Sequence, residues 1–205
     1  MIFSVIYFIL IIIVIFYIST INIENFGQKM TRECSSIDNQ CYQIQQKYDK
    51  STYGGAADML AAINKKDTKI TMSDEKFNLR KEMTLNLMKR YNPGVIREHD
   101  PKGIKNTSYV WKKGEEIGYC LRERETGKFN LHKMDILFFV NLHEISHLTA
   151  TKYDPGHKQG FWKNFKIVLE EAIDAGIYNP VNYKQSPNKY CGLDVKYNPY
   201  YDGNL

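Results

Sequence analysis

The sequence predicts an α+β domain, because helical and strand-like patterns occupy separate blocks along the chain. Apolar residues recur at helical spacing in "AADMLAAIN" (56–64) and "DEKFNLRKEMTLNLMKRY" (74–91), which predicts two helices joined near residues 68–73. The segments "TSYVW" and "EIGYCLR" flank residues 112–115, a pattern typical of two short β-strands joined by a tight turn. We therefore expect a small β-sheet among helices.

Two later segments predict a central helix and an amphipathic helix. Residues 131–149, "LHKMDILFFVNLHEISHLT", carry apolar side chains on nearly every face, which is typical of a helix covered on several sides. The segment "HKQGFWKNFKIVLEEAIDAGIYNP" (157–180) has one apolar face. We expect this second helix to stop at Gly176, because glycine commonly follows the last helical residue and Pro180 lies just beyond.

The N-terminal region predicts a membrane anchor and a stalk ahead of one folded domain. Residues 1–23 carry no charged side chain and residues 5–18 no strongly polar one, which predicts an uncleaved transmembrane helix over 1–23. A signal peptide would need a basic start and a small-residue cleavage site, and neither is found beside the apolar run. Residues 24–55 are polar and predict a stalk, which leaves residues 56–205 as the folded domain.

The net charge and the cysteine content of the chain only partly restrict its possible binding partners and disulfide bonds. The chain has 28 basic and 23 acidic residues, a net charge of +5, but the basic residues are scattered, so a nucleic-acid partner is not favoured. The four cysteines allow three disulfide pairings or four free thiols, and none forms a C-x-x-C metal pattern. We expect Cys120 to be a small core residue, with a disulfide to Cys191 as the alternative.

The predicted central helix contains a metal-binding motif. His143, Glu144 and His147 have the spacing of H-E-x-x-H, in which residues four apart share one helix face, so that both imidazoles can bind one zinc ion. In this motif the glutamate acts as general base. A core helix would carry these three side chains without function only if their burial were compensated, and metal ligation is the simplest compensation.

His157 is the predicted third ligand, because residues 155–156, Pro-Gly, would turn the chain back toward the central helix. Glu170 and Glu171 are the alternatives, but they would lie ~20 Å from the start of the following helix, among its polar positions. Three histidines would leave a fourth position for water on one Zn²⁺ ion. We expect His99 and His132 to be surface or hydrogen-bonded polar residues rather than ligands.

These residues resemble a known enzyme family. The H-E-x-x-H motif, the following Gly-His and the Phe161-Trp162 pair that opens an amphipathic helix resemble the WLM/SprT-like zinc metallopeptidases. The segment "GYCLRERETGKFN" and the pair "IYNPVNY" and "YCGLDV" are more similar to WLM-type metallopeptidases inferred in large DNA viruses. The resemblance covers residues 109–195. It implies a compact zincin-like fold with zinc ligands His143, His147 and His157 and the catalytic base Glu144.

The anchor and the resemblance together predict a membrane-anchored endopeptidase of a host-cell or virion membrane. It would hydrolyse protein or peptide substrates by a zinc-activated water with Glu144 as general base. We expect residues 117–122 to form the sheet edge that holds the substrate, and Tyr153, Tyr183 or Tyr190 to stabilise the oxyanion. Alternatives are a catalytically silent zinc-stabilised binding or virion structural protein, and a DNA-associated protease. Phe161 and Trp162 are expected to pack in the core.

Overall fold

The computed structural model describes residues 29–71, 81–101, 107–124, 129–150 and 157–205. Within these ranges the chain is α+β, with a mixed sheet, a second small sheet and four α-helices. The helices are α1 (Tyr53–Thr71), α2 (Lys81–Arg90), α3 (Met134–Thr149) and α4 (Gln159–Asp174). Part of the second predicted helix, residues 74–80, lies outside the described residues.

Five strands form the mixed sheet, in the order β1-β2-β3-β5-β4. The outer pairs β1–β2 and β4–β5 are antiparallel, whereas β3 runs parallel to both β2 and β5. Strands β6 and β7 form a separate antiparallel pair. The strands are β1 (Met30–Cys34), β2 (Cys41–Gln45), β3 (Ile96–Glu98), β4 (Ser108–Trp111), β5 (Glu116–Tyr119), β6 (Asn188–Tyr190) and β7 (Leu193–Val195).

The predicted hairpin is confirmed by the antiparallel pairing of β4 with β5 across the turn at residues 112–115. Gly114 has a φ of 108°, which favours glycine. A Cβ at this position would also lie 2.1 Å from the carbonyl oxygen of Arg90. The turn therefore packs directly against the C-terminal end of α2.

Strands β1 and β2 lie in the segment that the sequence predicts to be a stalk. They join the sheet because β2 pairs with β3, and because Ile44 is fully buried in the core. A disulfide between Cys34 and Cys41 links the two strands. The side chain of Asp58 on α1 accepts hydrogen bonds from the hydroxyl groups of Ser35 and Ser36. The ordered domain therefore includes residues that precede the predicted boundary at 56.

The membrane-spanning part of the predicted fold is corrected by the structure. No helix in the described ranges is long and apolar enough to cross a membrane. The 19-residue α1 is interrupted by charged side chains, among them Asp58, Lys66 and Asp67, whereas a span needs about 20 predominantly apolar residues. The finding overturns the transmembrane fold and the single-pass membrane localisation. Residues 1–23, from which both were inferred, lie outside the described residues.

The predicted central helix is confirmed by the burial of α3. This helix packs against α1, α2, α4, β4 and β6. Its buried side chains lie on all faces and include Leu137, Phe138, Leu142, Ile145 and Leu148. The polar side chains of Asn141, Glu144 and Ser146 on α3 are therefore held inside the domain. The predicted apolar face of α4 is buried as expected, and α4 ends before Gly176, which adopts a φ of 66°.

A buried ion pair ties the sheet to the chain that follows β5. The Nε of Arg122 donates to Oε1 of Glu98 at 2.7 Å, and the two side chains are 2% and 0% exposed. A second guanidinium nitrogen donates to the Thr52 hydroxyl at 2.6 Å, and the Gln45 backbone N–H donates to Glu98 at 2.8 Å. Because both charges are desolvated, each depends on the other for compensation.

We expect Glu98→Ala to lower the free energy of unfolding by about 3–5 kcal/mol, because it leaves the buried guanidinium of Arg122 without a counter-charge. Urea denaturation of the purified variant measures this change. The control Lys196→Ala removes an exposed ion pair with Asp194 and should leave the stability essentially unchanged. A Glu98→Ala loss as small as that of the control would contradict the role of the pair.

A polar bridge connects α1, α3 and β5 through the core. The Asn141 amide donates to Asp67 at 2.6 Å, and its oxygen accepts from the Tyr119 hydroxyl at 2.5 Å. All three side chains are buried. Burial raises the pKa of Asp67 to about 7, although the hydrogen bond from Asn141 opposes this shift. The bridge fixes α3 one helical turn before Glu144.

The raised pKa of Asp67 predicts a pH-dependent stability. Between its ordinary value of about 4 and about 7 the folded protein holds a proton on Asp67 that the unfolded chain has lost, so this group makes stability fall as pH rises. We expect Asp67→Asn to remove up to about 1.4 kcal/mol per pH unit of that fall. Urea denaturation from pH 5 to 8 tests this, with the exposed Asp174→Asn as control. Identical pH profiles for wild type and Asp67→Asn would refute it.

Candidate metal centre

Helix α3 presents two histidines on one face near its C-terminal end. The helical repeat places His143 and His147 one turn apart, and their ring centroids lie 5.2 Å from each other. Both side chains are half-buried, in contrast to the fully buried apolar residues around them. The face that they share is therefore accessible from outside the core.

The third histidine reaches this face from the chain just before α4. The Nε2 atoms of His157 and His143 are 2.9 Å apart, and the His157 ring lies 5.3 Å from that of His147. One nitrogen from each of the three rings lies within 4.8 Å of the others. Two nitrogens bound tetrahedrally to zinc at about 2.0–2.1 Å would be roughly 3.3 Å apart, a separation between the 2.9 Å of the His143–His157 pair and the 4.8 Å that bounds the whole group. The structure thus contains a three-histidine group that could hold a metal ion.

Phe161, in the first turn of α4, forms the floor of the cluster. Its ring stacks on His147 at 4.4 Å and lies 4.8 Å from His143 and 4.6 Å from His157. The neighbouring Trp162 donates its indole N–H to the backbone carbonyl of His157 at 2.9 Å. Sequence reasoning expected both aromatic residues in the core. Phe161 is indeed only 4% exposed, but together they also orient the three histidines.

Glu144 lies next to the histidine face and is 5% exposed. Burial raises its pKa to about 8. Burial, together with the neighbouring His147 and His157, holds the pKa of His143 well below its usual range. The group therefore combines a neutral His143 imidazole, the protonation state that binds metals, with an adjacent buried carboxyl group.

The three tyrosines expected as oxyanion donors lie in different parts of the chain, and two of them are described by the structure. Tyr190 is buried beneath the site, and its hydroxyl lies 2.6 Å from the Ser108 hydroxyl on β4. Tyr183 is buried against Phe139, with ring centroids 4.8 Å apart. Tyr153 lies outside the described residues. Neither described hydroxyl reaches the protein surface in this structure.

The two glutamates considered as alternative ligands lie far along α4. They occupy its twelfth and thirteenth positions, ~17 Å from its start. Glu171 lines a small cavity that it shares with Met83, Leu87 and Thr149. The structure does not bring either glutamate to the three histidines, since no described carboxylate is part of that metal-binding group.

The edge of the sheet is not where the sequence predicted it. Strand β5, which covers half of the predicted edge at residues 117–122, pairs with β3 on one side and β4 on the other, so its backbone groups are already used. Among the described strands, β4 is the edge strand that lies beside α3. Its last residue, Trp111, is 57% exposed. Local alternation of side chains does not reveal which strand of a hairpin is internal.

We expect His157→Ala to lower zinc affinity by more than roughly 100-fold, because even residues that only support a ligand typically contribute 10- to 100-fold. Glu170→Ala and Glu171→Ala should change the affinity little, since both lie far from the cluster. Competition with a chromogenic chelator measures all three. Zinc loss confined to a glutamate variant would overturn this ligand assignment.

Comparison with known proteins places the chain among proteins of large viruses. It is 32% identical over 165 residues to the uncharacterized protein R325 of Acanthamoeba polyphaga mimivirus, which covers 78% of this chain and 80% of that protein. It is also 32% identical over 77 residues to the uncharacterized protein 136R of Invertebrate iridescent virus 6, which covers 38% of this chain and 41% of the relative.

No protein-family model and no solved structure matches the chain. The match to the mimivirus protein extends over most of both chains, so it is not confined to one motif. The chain therefore belongs to the same protein family as the uncharacterized protein R325 of Acanthamoeba polyphaga mimivirus.

Proposed function

We propose that this protein is a zinc-dependent endopeptidase of the WLM/SprT-like type, with Glu144 as its general base. The observation that carries the proposal is that the imidazoles of His143, His147 and His157 converge on one group. The buried carboxyl group of Glu144 follows His143 directly on α3. Catalytic zinc sites typically have three protein ligands and keep one position open, whereas structural sites are closed by four. The exposed position of His157 leaves the cluster open to solvent on one side.

The three histidines would hold the ion, and Phe161 keeps their rings in place from below. A bound zinc ion would act as a Lewis acid that polarises the scissile carbonyl and lowers the pKa of a water molecule. Glu144 would take the proton of the attacking water and later deliver it to the nitrogen of the leaving amine. Peptide-bond hydrolysis is the reaction that this pair of roles supports.

Strand β4 is the best candidate for holding the substrate. Its outer edge has no neighbouring strand within the part of the chain that the structure describes, and the strand packs against α3, which carries His143 and His147. An extended peptide could add to this edge through main-chain hydrogen bonds, as peptides do on other exposed sheet edges. The exposed Trp111 ring at the end of β4 would provide an apolar contact for one substrate side chain.

We expect Glu144→Gln to retain zinc but to reduce the rate of protein hydrolysis by roughly 10²–10⁴-fold, because the amide cannot accept the proton from water. The assay should use the full chain, because a shortened protein without the predicted stalk, for example one beginning at residue 50, would lack strands β1 and β2. Metal analysis and a fluorescent casein assay measure the two properties. The control Glu115→Gln changes an exposed glutamate in the β4–β5 turn and should be as active as wild type.

Two outcomes would contradict this assignment. Loss of zinc in Glu144→Gln would make Glu144 a ligand, and undiminished hydrolysis would remove it from catalysis. A wild-type protein that binds zinc tightly but hydrolyses neither casein nor a peptide library would favour the catalytically silent alternative.

A further inference from the structure

A second cluster of metal-ligand side chains lies apart from the three histidines. Cys120 is the first residue after β5, and His132 lies two positions before α3. Cys191 lies in the turn between β6 and β7. All three are buried, and their sulfur and nitrogen atoms lie within 4.8 Å of one another. In the structure Cys120 and Cys191 are joined as a disulfide. Sequence reasoning expected His132 at the surface or in an ordinary hydrogen bond.

The imidazole of His132 faces the disulfide. Its Nε2 accepts a long hydrogen bond from the backbone N–H of Cys191, at 3.3 Å, and lies equally close to the Cys191 sulfur. The nitrogen that accepts this bond is unprotonated, which is the form of imidazole that binds metal ions. A metal ion between this nitrogen and the two sulfurs would take the place of the long hydrogen bond.

The surroundings of the two sulfurs suit a divalent ion. The backbone carbonyl oxygen of Arg122 lies 3.3 Å from the Cys191 sulfur and 3.6 Å from that of Cys120, and could complete a four-atom set. Two thiolates would neutralise a doubly charged ion, so the buried site would carry no net charge. Two cysteines and one histidine are ligands that zinc accepts readily.

We propose that the reduced forms of Cys120 and Cys191, together with His132, bind a second zinc ion, so that this position holds either a disulfide or a metal. A dithiol reductant would supply two electrons and two protons, breaking the S–S bond to two thiols while becoming a cyclic disulfide itself. Zinc binding would then release the two thiol protons. This proposal is independent of the peptidase function.

The exchange would preserve a cross-link that reduction alone would remove. Cys120 and Cys191 are 71 positions apart, and the segment between them contains α3, α4 and all three histidines of the metal centre. An ion held by Cys120, His132 and Cys191 would join the same ends of β5, α3 and β6. The fold around the metal centre would therefore stay closed under both oxidising and reducing conditions.

Cobalt absorption tests this directly, because thiolate ligands give Co²⁺ an intense near-ultraviolet charge-transfer band that histidine ligands cannot produce. The full chain would carry Cys34→Ser and Cys41→Ser, which removes the exposed second disulfide, a pair that belongs to no described metal-binding group. The protein is reduced anaerobically with a phosphine and titrated with CoCl₂. We expect a thiolate band that reaches its maximum when one Co²⁺ ion is bound at this site per protein chain. The band should disappear when zinc is added. The oxidised protein should show no such band.

Single substitutions assign the ligands. Cys191→Ser should abolish the band, and His132→Gln should weaken Co²⁺ binding at this site at least tenfold. The control His99→Gln changes a histidine in contact with Tyr109 and should bind like the parent. Circular dichroism of each sample reports folding.

The proposal is overturned if the reduced parent shows no thiolate band, whether it stays folded or unfolds in the presence of Co²⁺. It is also overturned if His132→Gln binds as tightly as the parent. Neither result depends on hydrolysis, so an inactive protein with the expected band would refute the peptidase proposal and leave this one standing.

Discussion

Helix α3 runs through the interior of the domain while carrying two histidines and a glutamate, and the surrounding elements compensate for that burial. Phe161 and Trp162 on α4 contact the histidine rings and the backbone of His157, and one nitrogen from each of the three rings lies within 4.8 Å of the others. Deeper in the core, Asn141 exchanges hydrogen bonds with α1 and β5. An unpaired buried polar group costs about 1–3 kcal/mol, so the two hydrogen-bond partners of Asn141 stabilise the fold around α3.

The end of β5 is the second place where long-range interactions meet. Arg122 pairs with Glu98 through its side chain, while its carbonyl oxygen faces the sulfurs of Cys120 and Cys191. The ion pair fixes this segment to β3, and the disulfide fixes it to the turn after β6. His132, two residues before α3, lies beside the same disulfide. The position of the candidate metal centre relative to the sheet therefore depends on groups that lie outside it.

The family relationship and the geometry address different questions. Identity to the mimivirus protein over most of both chains shows which family this protein belongs to, and that relative is itself uncharacterized. The proposed chemistry therefore rests on the site: three imidazoles at ligand distance, an adjacent carboxyl group and a sheet edge beside them. The β4 edge and the His132 cluster emerged only from the three-dimensional arrangement.

Features that depend on neighbouring residues could be predicted from the sequence. Helical periodicity predicted α3 and α4 with their buried faces, the β4–β5 hairpin followed from its turn, and the i, i+4 spacing placed His143 and His147 on one face. Three results came from the folded arrangement alone: residues 30–45 complete the sheet, β5 is internal, and His132 contacts Cys191, 59 positions away. Local spacing could not supply these results, because strand order and side-chain clusters arise from contacts between segments that are distant along the chain, and many pairings satisfy the same local pattern.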